Sequence, residues 1–187
     1  MSERMESRGL FLDRDGVINH EVGYLWRRED VRFVPGIFDL CRTARRLGYR
    51  LMVVTNQAGI ARGFYSEEDY QALMGWMRME FEREGVALDA VYHCPFHPEH
   101  GVGEYKREHE DRKPGMGMLR RGAREFGLDL SECVMVGDRC TDIAAANVAG
   151  LRQAFLIGGT EDAGECAGRF LGVAGLGEVE RWLVERG

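Results

Sequence analysis

Two carboxylates one residue apart, Asp13 and Asp15, stand at the end of a short apolar run, Gly9-Leu10-Phe11-Leu12. On an irregular turn both can face one cavity. One could then attack a phosphorus atom while the other gives a proton to the leaving oxygen. Asp and Gly also favour turns in their own right, so alone this cluster reads equally as an Asx-rich turn. A second cluster, Thr55-Asn56-Gln57, follows Leu51-Met52-Val53-Val54. A hydroxyl with backbone N–H groups at a strand end suits phosphoryl oxygens, although alone it reads as a polar loop. A third, Arg112-Lys113-Pro114-Gly115, sets two cations before a helical pattern. Arg112 offers a bidentate fork and Lys113 a point charge, while Pro114 suits a first helical position. The plain alternative is a solvated basic pair. The fourth is Val136-Gly137-Asp138-Arg139, with Asp142 four residues beyond Asp138. A carboxylate ending a buried strand suits Mg²⁺, which takes a few carboxylates plus waters and substrate oxygens.

These clusters need elements to hold them. The runs at 9–12, 51–54, 89–93, 133–136 and 152–157 are short and apolar, as buried strands are. Between them lie helical patterns. In 36–47 the apolar residues Ile37, Leu40, Cys41, Ala44 and Leu47 recur at helical spacing, and Gly48 closes the helix. Ser66-Glu67-Glu68-Asp69 reads as an N-cap with an acidic first turn, opening a helix to about Gly85. Met74, Trp76 and Met77 read as packing on that helix. Further helices are expected over 114–126 and 142–148. Alternating strands and helices predict an α/β fold, a doubly wound parallel sheet covered on both faces. Ligands of such sheets lie beyond the carboxyl ends of the strands, where all four polar clusters fall.

The chain has 187 residues, enough for a single domain spanning 1–187, with 44% hydrophobic and 30% charged residues. A net charge of −6 disfavours nucleic acid as the main partner, yet a local cluster of cations can still hold a small anion. No apolar run approaches the ~20 residues that span a bilayer, and the polar residues 1–8 do not form a signal peptide. Five scattered cysteines (Cys41, Cys94, Cys133, Cys140, Cys166) suit reduced thiols and a cytoplasmic location.

Asp-x-Asp, Thr, Lys and Gly-Asp-x-x-x-Asp at four successive strand ends together resemble the haloacid dehalogenase (HAD) superfamily of phosphatases. The stretches Phe11-Leu12-Asp13-Arg14-Asp15-Gly16-Val17-Ile18-Asn19 and Val54-Thr55-Asn56-Gln57-Ala58-Gly59-Ile60-Ala61-Arg62-Gly63 narrow the likeness. They resemble the branch of histidinol phosphatases and heptose-bisphosphate phosphatases, as do Cys94-Pro95-Phe96-His97-Pro98 and Asp111-Arg112-Lys113-Pro114-Gly115-Met116. The resemblance runs from about Gly9 to Ile157 and implies a Rossmann-like HAD fold with no large cap domain.

It also implies roles. Asp13 would be the nucleophile and Asp15 the general acid and base. Thr55 and Lys113 would bind phosphoryl oxygens. Mg²⁺ would be held by Asp13, the Asp15 carbonyl and Asp138, with Asp142 in support, and Asn56, Gln57 and Arg112 would meet the substrate. The expected partner is a small sugar phosphate, handled by a monomer. The leading substrate is D-glycero-D-manno-heptose 1,7-bisphosphate, losing its 7-phosphate on the way to activated heptose for surface glycans. Histidinol phosphate is the alternative, and the chain has no room for the dehydratase domain that often accompanies it. A nucleic-acid end phosphatase and a non-catalytic binding protein on this fold rank lower.

One departure stands out. The family usually carries zinc in a Cys-x-His … Cys-x-Cys loop before Arg-Lys-Pro. Here Phe96 holds the first His position, and His109 and Asp111 the two later Cys positions. Cys94, His97, His109 and Asp111 could form a mixed zinc site, since zinc accepts S, N and O ligands. Otherwise packing by Phe96 or Tyr105 must order the loop.

Overall fold

The computed structural model describes residues 7–158 and 166–186. Six strands, all parallel, form one sheet: β1 (Arg8–Leu12), β2 (Tyr49–Asn56), β3 (Ala90–Cys94), β4 (Val134–Gly137), β5 (Gln153–Ile157) and β6 (Leu171–Val173), in the order β3-β2-β1-β4-β5-β6. The strands nearest the chemistry, β1, β2 and β4, are adjacent. Leu10, Phe11 and Leu12 stand opposite Leu51, Met52 and Val53 on one side, and Val134, Met135 and Val136 on the other.

Strand side chains alternate between two faces, and here both faces are buried. Leu10, Leu12, Leu51, Val53, Val134 and Val136 join one core cluster, with Leu40 of α1 (Ile37–Arg46), Met77 and Phe81 of α3 (Glu67–Arg83), and Val179 and Leu183 of α6 (Leu176–Arg186). Phe11, Met52, Val54 and Met135 face the other way, against Leu119 of α4 (Gly117–Phe126) and Ile143 and Ala146 of α5 (Cys140–Ala149). Each such side chain, taken fully out of water, contributes about 1.5–3 kcal/mol before entropy. This is the doubly wound sheet that the strand and helix pattern predicts. A short helix, α2 (Ala58–Ala61), precedes α3, and the described residues between strands form no separate cap domain.

The helix starts follow local chemistry. Ser66 caps α3 through a reciprocal pair with Asp69, and Gly48, at φ 84°, ends the turn after α1. Two helices depart from expectation. α4 begins at Gly117 rather than at Pro114, because residues 112–117 turn back on themselves through backbone hydrogen bonds. Gly115 N donates to Arg112 O at 2.7 Å, and Gly117 N to Glu110 O at 2.9 Å. α5 opens at Cys140, two residues before the expected start. The expectation of five reduced cysteines is corrected: Cys140 and Cys166 are disulfide-bonded, while Cys41, Cys94 and Cys133 are free and buried. The fold returns Cys166 to the start of α5, a proximity that a separation of 26 residues does not announce. Among the described residues no helix is long and apolar enough to cross a membrane.

Candidate active site

Asp13 follows β1 and still pairs with β4, its N–H donating to Val136 O at 3.0 Å. Its carboxylate accepts from Lys113 Nζ at 2.8 Å. The same ammonium donates to Val54 O at 2.8 Å and lies 2.6 Å from Asp142 Oδ1. Lys113 is 100 residues away in sequence from Asp13; the turn at 112–117 brings it under the sheet's carboxyl edge. Burial pulls its ammonium down, yet Asp13 and Asp142 outweigh burial and hold it above its ordinary value. Burial pushes the Asp13 carboxyl up to about 8, with Lys113 pulling it down and Asp142 adding to the rise. Burial likewise lifts Asp138 to about 6, aided by Asp142.

Asp13, Asp138 and Asp142 offer oxygens all within 4.8 Å of one another, the one such group of acidic, His or Cys ligands among the described residues. Three carboxyl groups face one ammonium, two of them pushed toward their neutral form, and a divalent cation would favour the ionised form of each. Asp138 Oδ1 is also buried without a hydrogen-bond partner. The residues therefore fit an oxygen-seeking cation such as Mg²⁺. Two glycines make the crowding sterically feasible. A Cβ on Gly16, which sits at φ 86°, would lie 2.1 Å from Asp138 Oδ2, and one on Gly137 would lie 2.2 Å from Asp142 Cβ.

Asp15 points into a separate set of donors. Arg14 grips its carboxylate with Nε and Nη2 at 2.8–3.2 Å, and Asn19 Nδ2 donates to Oδ1 at 3.0 Å. Gln57 Nε2 donates to Asp15 at 3.2 Å and to Thr55 Oγ1 at 2.8 Å, while Gln57 Oε1 accepts from Tyr65 O–H at 2.5 Å. Gln57, expected at the substrate, is 1% exposed and ties Thr55, Asp15 and Tyr65 together. Asn56 pairs twice with the Lys113 backbone, donating to its O and accepting from its N, both at 3.0 Å. Its amide fixes the lysine's position as well as lining the cleft.

A cleft of about 600 Å³ opens over these groups, lined by Asp13, Asp15, Thr55, Asn56, Gln57, Arg112 and Lys113. Every residue expected from the sequence to act in catalysis or substrate binding is thus gathered in one place. Residues that sequence reasoning did not single out join them. Arg62 lines the cleft with its Nε buried and without a hydrogen-bond partner, and Arg139 and Tyr65 line it too. Arg14 was also overlooked; a charged residue set between two site carboxylates, in a buried turn, was its signal.

The zinc set is not assembled. No three of Cys94, His97, His109 and Asp111 bring ligand atoms within 4.8 Å of one another. His97 Nδ1 accepts from the N–H groups of Glu99 and His100, and His109 Nδ1 accepts from that of Asp111. Asp111 pairs with Arg121 of α4 at 2.9 Å, and Cys94 Sγ faces Phe96 O at 4.0 Å. His97 instead lines the cleft. The four residues do not fit zinc, because their ligand atoms are engaged elsewhere.

Comparison with known proteins places this geometry. A family model for HAD-hydrolase-like proteins matches residues 111–171. The D-glycero-alpha-D-manno-heptose-1,7-bisphosphate 7-phosphatase of Burkholderia mallei is 50% identical over 153 residues, covering 82% of this chain and 81% of that protein. The chain belongs to the heptose-bisphosphate phosphatase family of the HAD superfamily. The beta-anomer 7-phosphatase of Vibrio cholerae is 46% identical, with 82% of each chain covered. Among solved structures, a HAD-like phosphatase of Mesorhizobium loti superposes with a TM-score of 0.84 at 34% identity, covering 96% of this chain and 87% of that one. The D,D-heptose 1,7-bisphosphate phosphatase of B. bronchiseptica, complexed with magnesium and phosphate, superposes at 0.81 with 26% identity, covering 96% and 99%. A HAD phosphatase of this family is a phosphoric monoester hydrolase.

Proposed function

We propose that this phosphatase removes the 7-phosphate of D-glycero-D-manno-heptose 1,7-bisphosphate through a phosphoryl group carried on Asp13. The observation that carries the mechanism is the buried Asp13–Lys113 contact at 2.8 Å, beside Asp142 in an open cleft and within 4.8 Å of an Asp138 oxygen. The substrate rests on relatives named for it at 50% and 46% identity over most of their length.

In the first step an Asp13 oxygen attacks phosphorus in line, the phosphorus–O7 bond breaks, and Asp15 gives its proton to the departing oxygen. In the second, Asp15 takes a proton from water, and the hydroxide attacks phosphorus and frees Asp13 with inorganic phosphate. Arg14, Asn19 and Gln57 hold the Asp15 carboxylate at one orientation through both steps. Thr55 Oγ1 and Lys113 Nζ bind the equatorial phosphoryl oxygens, and the Lys113 charge opposes that of Asp13. Asp13, Asp138 and the Asp15 carbonyl, with Asp142 in support, would hold Mg²⁺, which would supply charge neutralisation for the phosphoryl group. Asn56 and Arg112 reach the substrate from the cleft wall.

The chain acts as a cytoplasmic monomer on a small sugar phosphate, supplying heptose for surface glycans. No step uses the sulfurs of the Cys140–Cys166 disulfide.

Phosphate release with Mg²⁺ from a panel tests the substrate. The panel holds both heptose bisphosphate anomers, heptose 1-phosphate, histidinol phosphate and common hexose phosphates. A heptose bisphosphate is expected to lead in kcat/KM and to leave heptose 1-phosphate as product. Preference for histidinol phosphate, or loss of the 1-phosphate, would remove the assignment.

A further inference from the structure

The loop between β3 and α4 has lost the ligands of a tetrahedral metal and gained an aromatic stack at the same positions. The Phe96 ring stacks on His109, centroids 4.7 Å apart and planes 29° from parallel. On it also sits Arg107, whose guanidinium carbon lies 3.9 Å from the ring centroid, and Tyr105 stands 6.0 Å away at a tilt. One half-buried ring therefore gathers three separated points of the loop, much as a bound metal gathers its ligands. The backbone agrees with the stack. His97 N donates to Tyr105 O at 3.0 Å, and Arg112 N to His109 O at 3.0 Å. Asp111 then fastens the loop's end to α4 through Arg121.

The ring has a second connection, through its own carbonyl. Arg112 Nη1 donates to Phe96 O at 3.1 Å. Arg112 lines the cleft beside Lys113, so the residue that gathers the loop also fixes the guanidinium expected to meet the substrate.

We propose that Phe96 is a positioning residue that replaces zinc: its stack with His109 and Arg107 orders the loop, and its carbonyl aims Arg112 into the cleft. This rests on the reading of Arg112 as a substrate contact. A metal-free stack holds without a soft-ligand cation, so the enzyme is zinc-independent.

Metal analysis and five variants test it. Purified enzyme should carry well under one zinc per chain, and a zinc-selective chelator should leave turnover with added Mg²⁺ unchanged. Phe96→Ala should raise KM for the bisphosphate roughly tenfold with kcat within about threefold, as misplacement of a binding group does. Phe96→Tyr should restore KM to within about twofold. Arg107→Gln, at an exposed position that does not endanger folding, should move KM the same way by a smaller factor. Phe96→Ala combined with Arg112→Ala should be no worse than Arg112→Ala alone, because both remove one function. Amide exchange over residues 94–112 should quicken in Phe96→Ala. Stoichiometric zinc whose removal stops turnover would overturn the proposal, as would unchanged exchange or fully additive KM effects. If Arg112→Ala leaves KM unchanged, the Arg112 reading falls; if it raises KM while Phe96→Ala does not, the positioning role of Phe96 falls alone.

Discussion

At the scale of residues, the arrangement is an electrostatic compromise built around Lys113. Its ammonium is buried between Asp13 and Asp142, and Asp138 stands close to both carboxylates. Removing one partner of such a buried group leaves uncompensated charge, which costs about 3–5 kcal/mol. Lys113→Ala is therefore expected to lower stability by about that amount and to remove nearly all turnover, as read by denaturant unfolding and phosphate release. Asp13→Asn behaves differently. It removes a carboxyl that burial already disfavours when charged, so the variant should melt no lower than the parent without metal while turnover falls by roughly 10⁴-fold or more. Retained turnover would remove Asp13 from the nucleophile's place. The residues expected to react, which the fold gathers at one cleft, could be singled out in the sequence because chemistry constrains their type. Their helpers were not: Arg14, Gln57 as a tie between Thr55 and Asp15, and Asn56 as a brace for the Lys113 backbone act through orientation, which only the fold reveals.

At the scale of elements, a second carboxylate shows how the strands that carry the site are held. Asp89, just before β3, accepts from Leu51 N of β2 at 2.7 Å and pairs with Arg45 of α1 at 2.7 Å and Arg50 at 3.2 Å. Burial pushes its carboxyl up, but Arg45 and the Leu51 N–H outweigh burial and hold it below the usual carboxylate range. A carboxylate depressed in the folded state adds stability above its unfolded pKa of about 3.9 and loses it as pH falls through the lower folded value. Asp89→Asn should cost about 1–2 kcal/mol at pH 7, and the gap to the parent should close as pH drops below about 4. A gap unchanged down to pH 2 would contradict the ionic origin. Strand and helix periods made most elements readable from sequence, since both sheet faces are buried and the runs are apolar throughout. The helices α2 and α6 were not expected from the sequence, and three further features escaped for physical reasons. β6 is three residues long with one buried side chain, too short for a period. The 112–117 turn is set by backbone hydrogen bonds that displace Pro114 from the helix start, and the Cys140–Cys166 pairing depends on the return of the chain rather than on spacing.

At the scale of the whole molecule, a chain of net charge −6 presents a cleft ringed by Arg62, Arg112, Arg139 and His97 above an acidic floor. The floor suits a divalent cation and the rim a doubly phosphorylated sugar, so the two charges are separated by depth. Added Mg²⁺ should raise the melting temperature in proportion to the logarithm of its concentration once saturating, by binding the folded state alone. EDTA should stop turnover, with recovery on adding excess Mg²⁺; a melting curve and rate indifferent to both would remove the cation from the floor. The central claim is the covalent phosphoryl group on Asp13. Enzyme mixed with heptose bisphosphate and Mg²⁺, quenched in acid during the first turnover and mapped by mass spectrometry, should yield a phosphorylated peptide containing Asp13, absent from Asp13→Asn. Full turnover with no phosphorylated peptide, or with the phosphoryl group on another residue, would contradict the account.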